Sequence, residues 1–227
     1  MPQASSCPIS NISCGGRQVL LRAARKDRQQ PGMTQNHLIN FMRTRALARF
    51  QHYVGVDTAS DPDADRNPSS AGQLELGALL ADECRQLGLQ DVEQDAYGYV
   101  YATLPPRHAR SSVAVTFCAH LDTSPSVSGA HVQPVVHRRY DGGPIHFGQA
   151  PELELTPEES PELLKFIGED IVTASGQTLL GADDKAGLAA IMTALEALQR
   201  FPERPRPEIR IVFTPDEEIG RGTAFIR

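Results

Sequence analysis

The sequence has no tryptophan, only four cysteines and no long hydrophobic run among its 227 residues. A helix that spans a bilayer needs about 20 mostly apolar residues, so the missing run predicts no membrane partner. The cysteines, Cys7, Cys14, Cys84 and Cys118, show no CxxC spacing and are too sparse for a disulfide framework. We therefore expect a soluble protein of a reducing compartment, the cytoplasm.

An excess of basic residues is also missing, since the net charge at pH 7 is −6. Residues 1–50 hold eight lysines and arginines against Asp27 alone, a net charge of +7, which leaves −13 for residues 51–227. A chain whose main part is acidic repels a phosphate backbone. We therefore expect no nucleic-acid partner.

The first 32 residues are rich in Ser, Gln, Arg and Gly and have no sustained helical or strand period. This composition predicts a disordered or non-native N-terminal extension, followed by one domain over residues 33–227. Two alternatives stay open. An Arg-rich, acid-poor leader is also typical of an organelle transit peptide, and Met33 is a second candidate for the true start.

The periodicity of apolar residues predicts alternating helices and strands. Helices are predicted over 38–54, 73–87 and 185–200, and strands over 92–96, 99–104, 113–118 and 208–214. Residues 126–178 are irregular, and we expect an excursion outside the core sheet that ends in a short hairpin around Ser175 and Gly176. The order of elements predicts an α/β fold with a central mixed sheet flanked by helices.

Three stretches place acidic or imidazole side chains where an apolar run ends. They are FCAHLDTSP at 117–125, LLGADDKAG at 179–187 and IVFTPDEEIG at 211–220. One histidine and several carboxylates form a ligand set that zinc accepts. We interpret His120, Asp183 and Glu218 as metal ligands, with Asp183 bridging two ions at the start of a helix whose amides and dipole hold its carboxylate.

Two further acids complete this interpretation. Asp122 lies two residues after His120 on the same side of an extended segment, so it can accept a hydrogen bond from the imidazole nitrogen that does not bind metal. Glu217 and Glu218 are neighbours in a chain expected to be extended, so they point in opposite directions. One then binds metal, while the other, Glu217, acts as a general base toward water.

Each motif taken singly has a simpler explanation. HxD is common in surface loops, paired glutamates are common on solvated edges, and acidic residues are ordinary at a helix N-terminus. The sequence also lacks GxSxG, HExxH and a phosphate-binding loop. Three acidic motifs, each at the end of an apolar element, favour a metal site.

In wording, order and spacing, these three motifs resemble the peptidase T family of the di-zinc exopeptidase superfamily. Tyr53, Asp57 and the stretch 68–73 fit the start of that family too, and the resemblance covers roughly residues 46–227. It implies His120 on the first zinc, Asp183 bridging both and Glu218 on the second. It also implies Glu217 as general base and Asp122 as a catalytic acid behind the ligands.

The resemblance further implies a zinc-exopeptidase-like catalytic domain with two zinc ions that releases the N-terminal residue of tripeptides, small peptide substrates. Members of this family are longer, and they supply a further Asp, a further His and a lid domain that forms a homodimer. We therefore expect a truncated domain that by itself binds zinc weakly and hydrolyses peptides poorly or not at all. The alternatives are another di-zinc amidase, such as a dipeptidase or an N-acyl amino acid hydrolase, or a noncatalytic remnant.

Overall fold

A four-stranded sheet forms the core of the part of the chain that the computed structural model describes, residues 35–108, 113–203 and 205–227. In chain order the elements are α1 (Gln35–Tyr53), α2 (Ala71–Gln86), β1 (Gln90–Gln94), β2 (Val100–Leu104), β3 (Ala114–His120), β4 (Val135–His137), β5 (Ile145–Phe147), β6 (Ala150–Leu155), a 3₁₀ helix (Pro161–Phe166), β7 (Ile171–Thr173), α3 (Ala182–Arg200) and β8 (Glu208–Thr214). The predicted N-terminal extension, residues 1–32, lies outside the described residues.

The core sheet is mixed, as predicted, with the strand order β1-β2-β8-β3. β2 pairs antiparallel with both β1 and β8, whereas β3 runs parallel to β8. In the parallel pair His120 is the partner of Thr214, so the two strands end side by side. The predicted α/β class is therefore confirmed.

The helices cover one face of this sheet because β2 and β8 direct alternate apolar side chains toward them. Those side chains are fully or almost fully buried, and they are Val100, Ala102, Leu104, Ile209, Ile211 and Phe213. They pack with apolar residues of α1, α2 and α3 in a single core. On the opposite face, Thr116, Cys118 and Arg210 are exposed.

β3 occupies one edge of the core sheet, since its only strand partner among the described residues is β8. Its side chains Val115 and Phe117 are 40% and 42% exposed, although their register partners on β8 are buried. Burial is reached only at the end of the strand, at Ala119 and His120. The end of β3 that carries His120 is thus the part fixed by packing.

Residues 126–178 lie outside the core sheet, but the expected hairpin around Ser175 and Gly176 is wrong. β7 ends at Thr173 and pairs with β4, while β5 pairs with β6 in a second small sheet. Gly176 has a left-handed backbone (φ +102°) and passes so close to Phe147 that an added Cβ would lie 2.8 Å from the Cβ of that residue. The glycine therefore serves close packing against β5.

The three predicted helices are present, and α1 begins three residues earlier than expected. α2 is followed by Gly88, whose positive φ of 76° is typical of a residue just past a helix end. Every helix in the described ranges is too short or too polar to cross a membrane.

A buried ion cluster joins the three helices. The guanidinium of Arg49 on α1, 5% exposed, lies 2.6 Å from the carboxylate of Glu83 on α2 and 2.7 Å from that of Glu196 on α3. It also donates to Thr193 Oγ1, and the Tyr53 hydroxyl donates to Glu83 at 2.5 Å. Among the described residues Arg49 is the one cation paired with Glu83, so its loss leaves that carboxylate uncompensated, whereas Glu196 keeps Arg45 at 2.8 Å.

We expect Arg49→Met to lower the free energy of unfolding by about 3 kcal/mol, because the partly buried carboxylate of Glu83 loses its compensating charge and Glu196 and Thr193 each lose a partner. Urea denaturation followed by circular dichroism measures the change. The matched control is Arg43→Met on the same helix, whose exposed ion pair with Glu169 contributes at most about 1 kcal/mol. Equal effects of the two substitutions would show that the cluster has no special role.

Candidate metal centre

The parallel pairing of β3 and β8 places two of the three acidic motifs side by side at the C-terminal ends of these strands. His120 and Thr214 are register partners at the strand ends, and the Leu121 amide donates to the Thr214 carbonyl at 2.8 Å. The residues that follow each strand therefore enter neighbouring loops. α3 packs on β3 and begins within the remaining motif, residues 179–187, which therefore lies at the same place.

His120 lies at the middle of the resulting cluster with an almost buried side chain. Its Nε2 atom is 2.9 Å from Asp183 Oδ1 and 3.9 Å from Glu217 Oε2. Its Nδ1 atom is 3.0 Å from the Asp122 carbonyl oxygen and 3.4 Å from Asp122 Oδ1. The ring thus directs Nε2 toward the carboxylates of the other motifs, while Asp122 fixes the opposite nitrogen.

Asp122 is fully buried, and its carboxylate has a second set of partners that the sequence did not indicate. Oδ1 accepts the Glu217 amide at 2.9 Å, and Oδ2 accepts the Glu218 amide at 3.0 Å. Carboxylate acceptors strengthen such hydrogen bonds. Asp122 therefore holds His120 on one side and the turn that carries the two glutamates on the other.

The expectation that Glu217 and Glu218 lie in an extended chain is wrong. They follow Asp216, whose φ is +56°, and they sit in a turn closed by the hydrogen bond from the Gly220 amide to the Glu217 carbonyl. Both amides consequently face Asp122. The two glutamate side chains still differ, because that of Glu217 is exposed and that of Glu218 is half-buried.

The helix amides hold Asp184, not Asp183 as the sequence predicted. Asp183 and Asp184 have non-helical backbone angles although they lie within the bounds of α3. Asp184 Oδ1 accepts the Gly187 amide at 3.1 Å, and Oδ2 accepts the His120 amide at 3.3 Å. Asp183 is left with an exposed carboxylate whose partner is His120 Nε2.

Lys185 is a further residue that the pattern did not reveal. It is 2% exposed, and its ammonium donates to the Val56 carbonyl at 2.7 Å. Burial lowers its pKa to about 8, although the charge of Asp57 acts in the opposite direction. Lys185 therefore links the motif of residues 179–187 to the segment after α1. A lysine between acidic residues and a helix gave no signal of burial.

Negative charge dominates the electrostatics of the cluster. Burial lowers the pKa of the His120 imidazole, but hydrogen bonds with Asp122 and Asp183 outweigh it and raise the pKa to about 9. The pKa of Glu218 is raised by burial and by the charges of Asp183, Asp122 and Glu217, against the opposing effect of His120. Without a metal ion, a protonated His120 thus balances the surrounding carboxylates.

The residues present fit a zinc ion. Single ligand atoms of His120, Asp183 and Glu218 all lie within 4.8 Å of one another. Atoms that bind one zinc ion at 2.0–2.2 Å are at most about 4.4 Å apart, so small side-chain movements are sufficient. Imidazole nitrogens and carboxylate oxygens are both ordinary zinc ligands. The structure thus brings together all three predicted ligands, with Asp122 and Glu217 beside them.

Comparison with protein families gives a match to Peptidase family M20/M25/M40 over residues 178–226. Two similar curated proteins are Peptidase T of Geobacillus thermodenitrificans, 44% identical over 181 residues, and Peptidase T of Brevibacillus brevis, 46% identical over 181 residues. Each match covers 80% of this chain and 44% of the relative. The chain thus spans less than half the length of the curated relatives it matches.

Solved structures share the fold. The aminopeptidase PepT from Bacillus cereus superposes with a TM-score of 0.52 at 23% identity, over 78% of this chain and 37% of that one. The aminoacylhistidine dipeptidase from Vibrio alginolyticus gives a TM-score of 0.52 at 19% identity, over 80% of this chain and 30% of that one. At these identities the likeness concerns the fold alone, and it agrees with the predicted architecture.

We expect Asp122→Asn to lower the free energy of unfolding by about 2 kcal/mol, since one of the two amides bound by this buried carboxylate then faces an NH₂ group instead of an acceptor. Urea denaturation in the presence of a chelator measures this effect without metal. Asp63→Asn is the matched control, because it removes the same charge from an exposed loop residue. Equal stability of the two variants would contradict the role assigned to the Asp122 carboxylate.

Proposed function

We infer that this chain forms part of a metal-dependent peptidase, a hydrolase of peptide bonds, because it is a relative of peptidase T. The curated matches at 44% and 46% identity confirm the resemblance that the three motifs indicated. We further propose that the complete protein releases the N-terminal residue of tripeptides with two zinc ions. The convergence of His120, Asp183 and Glu218 within 4.8 Å is the observation that carries this proposal.

The proposed roles follow from the contacts of each side chain. In the complete protein His120 Nε2 would hold the first zinc ion, Glu218 the second and Asp183, whose carboxylate is exposed, both; in this chain alone the three side chains can share one ion. Bound zinc supplies Lewis acidity toward a peptide carbonyl and an attacking water.

Glu217 is the proposed general base. Its carboxylate is exposed and has its Oε2 atom 3.9 Å from His120 Nε2, so it can accept a proton from water beside the metal ligands. Asp122 holds the turn of Glu217 through the amide, and its carbonyl faces Nδ1 of His120. This contact fixes the tautomer in which Nε2 is free to bind metal.

The number of ligands sets an expectation for this chain alone. Two zinc ions need about three protein ligands each, even when one carboxylate is shared, and the described residues form one group of three. We therefore propose that residues 1–227 bind zinc weakly and have little or no peptidase activity by themselves. We also propose that the complete protein forms a homodimer. We further propose that it is located in the cytoplasm, because the thiols of Cys84 and Cys118 are free.

Zinc binding is the first test. In a competition titration of the complete chain with a chromophoric chelator, we expect one zinc ion to bind, and His120→Ala and Glu218→Gln to weaken binding by at least about 10- to 100-fold. Glu158→Gln is the matched control, since it changes an exposed glutamate away from the site. Binding that is unaffected by either substitution at the site would refute the proposed ligand set.

Peptide hydrolysis is the second test. We expect a fusion that supplies the part of the Geobacillus relative outside the matched 44% to hydrolyse tripeptides, whereas residues 1–227 alone do so slowly or not at all. In the fusion, Glu217→Gln is expected to lower kcat by about 10²–10⁴-fold and to leave zinc affinity unchanged.

Three outcomes of this assay would contradict the proposal. Rapid turnover by residues 1–227 alone would refute the ligand-count argument. A preference for dipeptides or acylated amino acids over tripeptides would assign the chain to another amidase class. A folded, zinc-loaded fusion without activity on any of these substrates would point to a noncatalytic remnant.

A further inference from the structure

Asp216 is a buried acid that the proposed mechanism does not use. It lies between the end of β8 and Glu217, is 0% exposed, and has a left-handed backbone with φ +56°. A non-glycine residue holds such a conformation only where its surroundings stabilise it. The contacts of Asp216 therefore indicate what keeps this part of the turn in place.

The start of α2 supplies those contacts. Asp216 Oδ2 accepts the Ser69 amide at 2.8 Å, and Oδ1 accepts the Ser69 hydroxyl at 2.5 Å and Gln73 Nε2 at 2.7 Å. In return, the Asp216 amide donates to Gln73 Oε1 at 3.0 Å. Ser69 and Gln73 are themselves buried. Four hydrogen bonds thus join Asp216 to two buried residues, one through the Ser69 backbone and three through the side chains of Ser69 and Gln73.

The other end of the turn is held by Asp122, which accepts the amides of Glu217 and Glu218. The Asp216 carbonyl also accepts the Arg221 amide at 2.9 Å, which closes the turn beyond the glutamates. The residues that bear the proposed base and one proposed ligand are therefore clamped between two buried carboxylates. Asp122 is linked to His120, and Asp216 is linked to α2.

We propose that Asp216 is a positioning residue, whose bonds to Ser69 and Gln73 hold the Glu217–Glu218 turn in the place where it meets His120 and Asp183. The Asp216 carboxylate bonds Ser69 and Gln73, so we expect it to act on the proposed ligand and base through the backbone of the turn. The inference rests on the proposed function for its effect on metal binding. Its effect on the turn itself is independent of that function.

The donor pattern makes a selective test possible. In Asp216→Asn, an NH₂ group faces donors that now bond a carboxylate, so at least one hydrogen bond is lost. In the double variant Asp216→Asn with Gln73→Glu, the side-chain NH₂ of residue 216 donates to the carboxylate of residue 73. That carboxylate also accepts the backbone amide of residue 216, as Gln73 Oε1 does in the original protein. This exchange of partners restores the pair without restoring the original residues.

The measurement is amide hydrogen exchange by NMR on the complete chain, with the amides of Glu217 and Glu218 as reporters and the Ile211 amide of β8 as reference. We expect Asp216→Asn to accelerate exchange of the two reporters by about tenfold, the loss of one hydrogen bond, with little change at Ile211. Ser69→Ala, which removes only the hydroxyl donor, is the milder variant to use if Asp216→Asn does not fold. Asp63→Asn is the control for the lost charge.

Zinc affinity and the absorption spectrum of bound cobalt provide the second readout. We expect weaker zinc binding and a changed cobalt spectrum in Asp216→Asn, both recovered in the double variant. Wild-type exchange at both reporters, or equal acceleration at Ile211, would overturn the inference. If the reporters respond as expected but the wild-type chain binds no zinc, the positioning role stands and the proposed function fails.

Discussion

The parallel register of β3 and β8 is the constraint on which the candidate site depends. Because His120 pairs with Thr214, the loops after both strands begin at the same height along the sheet, and short side chains can reach from one to the other. A shift by one residue would turn His120 to the other face of the sheet. Packing at the end of β3 opposes such a shift, since Ala119 and His120 are buried while the preceding residues of the strand are exposed.

The large elements of the fold follow from apolar periodicity, and so does the site in outline. Alternating Ile209, Ile211 and Phe213 predicted β8, and the end of that run predicted where Glu217 and Glu218 lie. The backbone of their turn was not predictable, because a left-handed conformation at Asp216 depends on Ser69 and Gln73, more than 140 positions away in the sequence. Local pattern contains no information on such a contact.

The difference between local pattern and tertiary contact also explains why the predictions for Asp183 and Gly176 were wrong. Two adjacent aspartates before a helix satisfy any rule for a helix N-terminus, and only the contact with the His120 amide decides that Asp184 is held while Asp183 is exposed. The glycine in Ser175-Gly176 was interpreted as a turn residue, but its lack of a side chain serves close packing against Phe147. Sequence thus indicates which residue types are special, and tertiary contacts determine the reason.

The ion cluster around Arg49 has a consequence for the opposite end of α3. Glu196, near the C-terminal end of that helix, bonds Arg49, while Asp184 and Lys185 at its beginning bond the His120 amide and the Val56 carbonyl. About 17 Å of helix, 11 residues at 1.5 Å each, separates these two attachments. Because contacts hold α3 near both ends, they oppose a shift of the helix along its axis. The Arg49 cluster therefore helps to set the position of Asp183 in the candidate metal site, although it lies at the other end of the helix.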